Sequence, residues 1–166
     1  MQLHDRLRRD LQAELACSRA ELRLQVGDLA RARGEAFNPA SLNQPAVNME
    51  FGQSYLEYLR DLSSTGGLLP KVIASYNAGP APIAEWNVRY DNSDPLLYIE
   101  SLPYWETRGY VPIILRNYWM YENRAGDRSP SRRALAAGLW PRFPGLPGAS
   151  AVRIEPQRRN VAMGSD

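Results

Sequence analysis

The sequence predicts an all-α fold, and three observations support this prediction. Apolar residues recur three and four positions apart in several segments, the spacing that places them on one face of a helix. Gly, Pro, Asn and Ser cluster between those segments, where turns are expected. No segment of useful length alternates apolar and polar residues in the manner of a half-buried strand. The chain has 166 residues, enough for one domain with one core.

Residues 1–41 are predicted to form an atypical helical segment. Leucines and a valine recur at helical spacing between positions 3 and 33, but the apolar stripe is narrow and Gly27 interrupts it. This pattern favours a solvated helix, and it leaves open a helical arm that interacts with a partner protein. The stretch 36–45, which contains Asn, Pro, Ser and Gln, marks the boundary to the next segment.

The central segment, 42–124, is predicted to contain five helices. They are expected at about 46–62, 68–76, 82–86, 96–101 and 105–123. Asp94 and Pro95 are residues typical of the N-cap and the first position of a helix. Pro112 predicts a kink or the loss of one backbone hydrogen bond in the last helix.

The last segment, 125–166, is predicted to be a disordered tail. It contains five prolines, several glycines and seven arginines, a composition that is unfavourable for a packed core. Trp140, Phe143 and Leu146 are the apolar residues through which this segment could still dock on the domain.

The composition excludes several kinds of chemistry. The chain has one cysteine, Cys17, and one histidine, His4, so it can form neither an internal disulfide nor a His/Cys metal cluster. A nucleophilic triad and a glycine-rich phosphate loop are not found either. We therefore expect no metal and no cofactor, and any chemistry must use carboxylates, tyrosines or amides.

Charge and hydropathy limit the partners and the location. No stretch of eighteen apolar residues indicates a transmembrane segment, and the chain as given starts without the apolar region of a signal peptide. The net charges are +1 for residues 1–40, −3 for 41–124 and +4 for 125–166. Because the basic excess lies in the last segment, the folded part does not carry the basic surface typical of nucleic-acid binding.

Two short motifs place polar groups where they can line a cleft. The stretch 75–80, Ser-Tyr-Asn-Ala-Gly-Pro, puts Tyr76 and Asn77 at the end of a helix before a sharp turn, and Glu106 lies in the first turn of the last central helix. Uncharged donors and acceptors of this kind suit a neutral polyhydroxylated ligand such as a glycan. The alternative is that these residues have structural roles. Asn77 would then cap the end of its helix and Tyr76 would lie in the core. Glu106 would pair with Arg108 or a nearby donor, or cap its own helix.

Three segments together resemble motifs of the lytic transglycosylase family, of the soluble lytic murein transglycosylase type. Residues 45–56, 74–80 and 101–111 resemble, in this order, P-x-x-N-I-x-x-G-x-x-Y-L, A-x-Y-N-A-G-P and I-P-x-x-E-T-R-x-Y-V. The resemblance covers residues 42–124 and implies the C-terminal part of a goose-type lysozyme-like helical domain, incomplete in this chain.

The resemblance also implies a ligand and the residues that bind it. Members of the family cleave the MurNAc–GlcNAc bond of peptidoglycan glycan strands and form 1,6-anhydroMurNAc. By these motifs, the residues implied to bind the glycan are Tyr76, Asn77, Glu106 and Tyr121. Gln2 is implied to be a remnant of the cleft, because Met-Gln at the start of the chain matches the end of the family's G-L-M-Q motif. Such a substrate implies a location in the periplasm or the cell envelope.

The glutamate that serves as acid and base in the family has no counterpart in this chain. It lies in an E-S-x-F motif that is not found here and would precede Met1, so we expect no catalytic residue in the chain. The sequence therefore predicts a truncated transglycosylase domain that is inactive alone. A catalytically dead glycan-binding remnant and a helical interaction module are the alternatives.

Overall fold

The computed structural model describes residues 43–90 and 93–154, together with Gly27, Asp28, Arg31, Gly34, Asn38 and Ala40. Its helices are α1 Pro45–Asp61, α2 Leu69–Ala78, α3 Pro80–Tyr90, α4 Pro95–Glu100, α5 Trp105–Arg124 and α6 Pro130–Ala136, and its strands are β1 Trp140–Pro141 and β2 Ala151–Val152. The five helices predicted over the central segment are present as α1 to α5, which confirms the all-α prediction.

The helix ends follow from local residue chemistry. Gly79 ends α2 with a φ of 83°, a backbone conformation that favours glycine, and its N–H donates to the Ser75 carbonyl. Pro80 then begins α3, which is longer at both ends than predicted. Asp94 caps α4 as predicted, because its Oδ1 accepts from the Leu96 N–H at 2.8 Å. Helix α5 continues through Pro112.

Helix α2 lies at the centre of the fold. It contacts α1, α3 and α5, and seven consecutive residues, from Leu69 to Ser75, are buried. These include the one lysine of the chain, Lys71, whose Nζ lies 5.2 Å from the Tyr98 ring centre and 4.8 Å from that of Trp140. An ammonium group over aromatic faces is stabilised by the ring quadrupoles, which allows this charge to be buried.

The corner between α1 and α2 is held by a buried threonine. The Thr65 hydroxyl lies 2.6 Å from the Leu59 carbonyl oxygen, to which it donates, and it also contacts the Leu62 carbonyl oxygen at 3.0 Å. Gly67, two residues later, has a φ of 68°. A Cβ at this position would lie 2.6 Å from Cδ1 of Leu146, so a glycine lets the last segment approach the corner closely.

The prediction of a disordered tail from residue 125 is wrong for residues 125–154. Helix α6 follows, and β1 pairs with β2 in antiparallel register, with Trp140 opposite Val152. Trp140 is fully buried, and its indole N–H donates to the Ser93 carbonyl oxygen at 2.9 Å. The physical reason is that Trp140 and its neighbours supply enough apolar surface to offset the ordering of a proline-rich segment.

The predicted helix over 3–33 lies largely outside the described residues. Gly27, Asp28 and Arg31 have helical backbone, which agrees with the predicted helix at these three positions. The remainder of the predicted tail, 155–166, also lies outside the described residues. Among the residues with a described structure, no helix is both long enough and apolar enough to cross a membrane.

Candidate functional site

The two motifs that the sequence singles out come together where the end of α2 meets the start of α5. Tyr76 and Asn77 lie in the last turn of α2, and Glu106 lies in the first turn of α5. The tight turn at Gly79 directs the chain away into α3, and the central position of α2 against α5 brings the two ends together.

Asn77 connects the two helices through both ends of its carboxamide. Its Nδ2 lies 3.5 Å from Oε1 of Glu106, to which it donates, and its Oδ1 accepts from the Thr107 hydroxyl at 2.7 Å. The alternative that Asn77 is a helix-capping residue is wrong, since Gly79 holds the C-cap position.

Glu106 has a nearby donor as its partner, which was one of the two pairings expected for it. The other expected pairing, with Arg108, is wrong for a geometric reason: Nη1 of Arg108 donates to the Glu100 carbonyl oxygen at 3.5 Å. The N-cap of α5 is Tyr104, which makes no side-chain capping bond. Glu106 is half-buried and lies toward α2.

Tyr76 is half-buried against α1. Its ring centre lies 5.6 Å from that of Tyr55, which is buried, and the ring packs on the small apolar cluster of Tyr55, Leu59 and Val72. A Cβ on Gly52 would lie 3.9 Å from the Tyr76 hydroxyl oxygen, so the backbone of α1 passes close to this phenol. Tyr76 therefore packs partly in the core, as the structural alternative predicts, and remains partly exposed, as a residue that lines a cleft would be.

Tyr110 extends the site by one turn of α5. It follows Glu106 by four positions, which places both side chains on one helix face. Its phenol is half-buried, and burial together with the neighbouring Tyr76 raises the pKa of Tyr110 above that of a free tyrosine. The phenol is neutral at physiological pH, as an ordinary tyrosine is, and can donate a hydrogen bond.

Tyr121, another predicted site residue, is not part of this group. Tyr121 is 69% exposed and lies on the last turns of α5, about 22 Å from Glu106 along the helix axis at 1.5 Å per residue. Gln2 lies outside the described residues.

Sequence reasoning did not single out Thr107 and Tyr110 as site residues. The i, i+4 relation to Glu106 was a usable signal for Tyr110. No signal was available for Thr107, because its contact depends on how α2 and α5 pack.

The site combines the amide of Asn77, the phenols of Tyr76 and Tyr110, the hydroxyl of Thr107 and the carboxylate of Glu106. Within the described residues, no group of three His, Cys, Asp or Glu side chains could hold a metal ion. Neutral donors and acceptors next to aromatic rings can bind sugar hydroxyls and ring faces. One carboxylate can accept a hydrogen bond or handle a proton.

Comparison with known proteins identifies relatives for part of the chain. The family described as the Transglycosylase SLT domain matches residues 25–99. This range contains Tyr76 and Asn77, begins within the segment 1–41, and ends before Glu106. No solved structure matches the chain with significance.

Two named relatives are similar over about half of the chain. The soluble lytic murein transglycosylase of Escherichia coli strain K12 is 34% identical over 95 residues, which are 55% of this chain and 14% of that protein. The soluble lytic murein transglycosylase of Salmonella typhimurium strain LT2 is 33% identical over 94 residues, which are 54% of this chain and 14% of that protein. The chain thus spans a small part of the length of the curated relatives that it matches.

Proposed function

We propose that this chain contains part of a lytic transglycosylase domain of the SLT type and binds the glycan strands of peptidoglycan at Tyr76, Asn77 and Glu106. The named relatives are murein transglycosylases, and murein is a glycan polymer with many neutral hydroxyl and amide groups. Such a ligand requires donors and acceptors held in fixed positions rather than a strong charge of one sign.

One observation carries this proposal: the contact of 3.5 Å between Nδ2 of Asn77 and Oε1 of Glu106. It joins two side chains that the sequence motifs placed on separate helices. A donor group and an acceptor group side by side can bind a sugar that carries both kinds of group, and Tyr76 adds an aromatic wall. The proposed ligand therefore fits the chemistry of the site.

Cleavage of the glycan needs a proton donor at the glycosidic oxygen. Among the proposed site residues Glu106 is the one carboxylate, and it is engaged by the Asn77 amide, which favours a positioning role for it. We therefore propose that this chain binds the glycan without cleaving it alone, and that cleavage requires an acid from a segment other than the described one. Because the proposed ligand is peptidoglycan, we also propose a location in the periplasm or the cell envelope.

A sacculus assay tests the proposal. The purified chain is mixed with bacterial sacculi, bound protein is measured after sedimentation, and soluble products are examined by mass spectrometry for 1,6-anhydroMurNAc. We expect binding without anhydro products. Glu106→Gln is expected to weaken binding by about ten- to a hundredfold, because a hydrogen bond to a charged acceptor contributes about 1.5–3 kcal/mol.

Glu85→Gln is the matched control. Glu85 lies on α3, is exposed, and pairs with Arg89 at 2.9 Å on the surface, so the same change there removes a carboxylate outside the site. It should bind sacculi like the wild type. Equal binding by Glu106→Gln and Glu85→Gln would contradict the proposed site, and anhydro products from the wild type would show that the chain supplies its own acid.

A further inference from the structure

We propose that Thr107 is a positioning residue that sets the orientation of the Asn77 carboxamide and thereby prepares the site for its ligand. The inference rests on the proposed function for the identity of that ligand, whereas the orientation itself is a property of the free protein. Thr107 contacts neither the Glu106 carboxylate nor Tyr76 in any described hydrogen bond, so its effect on the site passes through Asn77.

Thr107 is placed to act on a single atom. It is 1% exposed, and its hydroxyl lies 2.7 Å from Oδ1 of Asn77 across the interface between α2 and α5. A threonine in a helix can donate its hydroxyl proton to the carbonyl one turn earlier. In this protein the Thr107 proton is directed between helices, to a side chain thirty positions earlier in the chain.

Glu106 and Thr107 favour the same one of two orientations of the Asn77 amide. A carboxamide rotated by 180° exchanges its oxygen with its nitrogen at almost no cost in shape. The Glu106 carboxylate accepts hydrogen bonds when ionised, so it favours the nitrogen on its side. Thr107 offers a proton on the other side, which favours the oxygen there, and both preferences agree.

Loss of the Thr107 hydroxyl would remove one of the two contacts that favour this orientation. With valine at this position, Oδ1 of Asn77 would face a methyl group and lose the hydrogen bond that Thr107 donates to it. The Asn77 amide would then populate more than one orientation, and a ligand would have to order it on binding. Ordering a group before the ligand arrives reduces the entropy lost on binding, so we expect the wild type to bind more tightly.

Nuclear magnetic resonance on the full chain tests the orientation directly. The side-chain amide protons of Asn77 are observed in the wild type, in Thr107→Ser and in Thr107→Val, each with and without the Glu106→Gln substitution. We expect the Asn77 resonances to respond to the loss of the Glu106 carboxylate in the wild type and in Thr107→Ser, which keeps the hydroxyl. In Thr107→Val at least half of the response should be lost.

Two further measurements make each outcome decisive. Since Thr107→Val could fail to fold, the hydroxyl proton of Thr107 is observed in the wild type, where we expect slow exchange with water and a nuclear Overhauser effect to the Asn77 side chain. Binding of a GlcNAc–MurNAc tetrasaccharide is then measured by calorimetry. We expect Thr107→Val to bind about 3- to 10-fold more weakly and Thr107→Ser to bind within twofold of the wild type.

The outcomes separate this inference from the proposed function. An unchanged Asn77 response in Thr107→Val, a Thr107→Ser that behaves like the valine variant, or a rapidly exchanging Thr107 hydroxyl would each overturn the positioning role. A wild type whose amide is ordered as described but that binds no tetrasaccharide would contradict the proposed function and leave the positioning role intact.

Discussion

At the level of single residues, two buried hydroxyl groups near the site differ in their hydrogen bonds. The Thr107 hydroxyl donates to Asn77, whereas the Ser75 hydroxyl, on the buried part of α2, has no hydrogen-bond partner among the described residues. An unsatisfied buried hydroxyl has lost its contact with water without a replacement. The free energy of unfolding should therefore respond differently to the removal of a satisfied hydroxyl and an unsatisfied one.

Ser75→Ala tests this difference. We expect the free energy of unfolding to stay unchanged or to rise by up to about 1 kcal/mol, because the change removes a group that is costly to bury and leaves the backbone intact. Urea denaturation followed by circular dichroism gives the value.

Thr65→Val is the comparison variant, since Thr65 is equally buried but donates to the Leu59 carbonyl oxygen at 2.6 Å. The free energy of unfolding of Thr65→Val should be about 1–3 kcal/mol lower than that of the wild type. If Ser75→Ala lost as much as Thr65→Val, the Ser75 hydroxyl would have a stabilising partner and the prediction would be wrong.

At the level of elements, we expect Tyr118 near the end of α5 to make stability depend on alkaline pH. Burial, then a hydrogen bond to the Glu122 carboxylate, raises the pKa of the Tyr118 phenol well above its usual value near 10. The phenol stays protonated in the folded chain at a pH at which it ionises in the unfolded chain. Stability from this group is therefore complete below about pH 10 and is lost as the pH rises further.

Tyr118→Phe should make the stability less dependent on pH in the alkaline range. The free energy of unfolding is measured between pH 8 and pH 11, and its decline above pH 10 is expected to be smaller in the variant than in the wild type. Tyr121→Phe is the control, because that ring is 69% exposed on the same helix. An equal alkaline decline in wild type and Tyr118→Phe would assign the decline to other groups.

The helices of the central segment could be predicted from the sequence because their signals are local. Spacing of apolar residues predicts α1 and α5, and the pair Asp94 and Pro95 predicts the start of α4. The order of residues 125–154 could not be predicted in this way. Strands of two residues have no periodicity, and the burial of Trp140 depends on partners that are distant in sequence.

The candidate site shows the same division between local and distant information. Tyr76, Asn77 and Glu106 were predicted because they occur in recognisable motifs. The contact of Thr107 with Asn77 depends on the rotation of α5 about its axis against α2, which the packing of the whole core determines. Short motifs therefore identify the residues of this site better than they identify what orients them.

At the level of the whole molecule, we expect the last described segment to fold together with the helices. Trp140 is fully buried in the main core cluster, and its ring packs on that of Tyr98 with the ring centres 5.3 Å apart. Trp140→Ala should lower the free energy of unfolding by about 3–5 kcal/mol, the usual cost of removing a large aromatic side chain from a core. Denaturation monitored by far-ultraviolet circular dichroism measures this loss over all helices.

Trp105→Ala is the matched variant, because Trp105 is 60% exposed on α5. It should change stability by less than about 0.5 kcal/mol. If Trp140→Ala left the denaturation midpoint of the helices unchanged, the segment beyond α5 would be an appendage rather than a part of the folding unit.

The contact between the α1–α2 corner and the last segment also affects the order of events during protein synthesis. The Phe143 N–H donates to the Gly67 carbonyl oxygen at 2.7 Å, and Leu68 pairs with Arg142. A ribosome produces Phe143 roughly 4–15 s after Gly67, at about 5–20 residues per second. For that interval the corner of a nascent chain, with Leu68 and Leu69 beside it, lacks these two contacts, so it can be completed only after residue 143 has been synthesised.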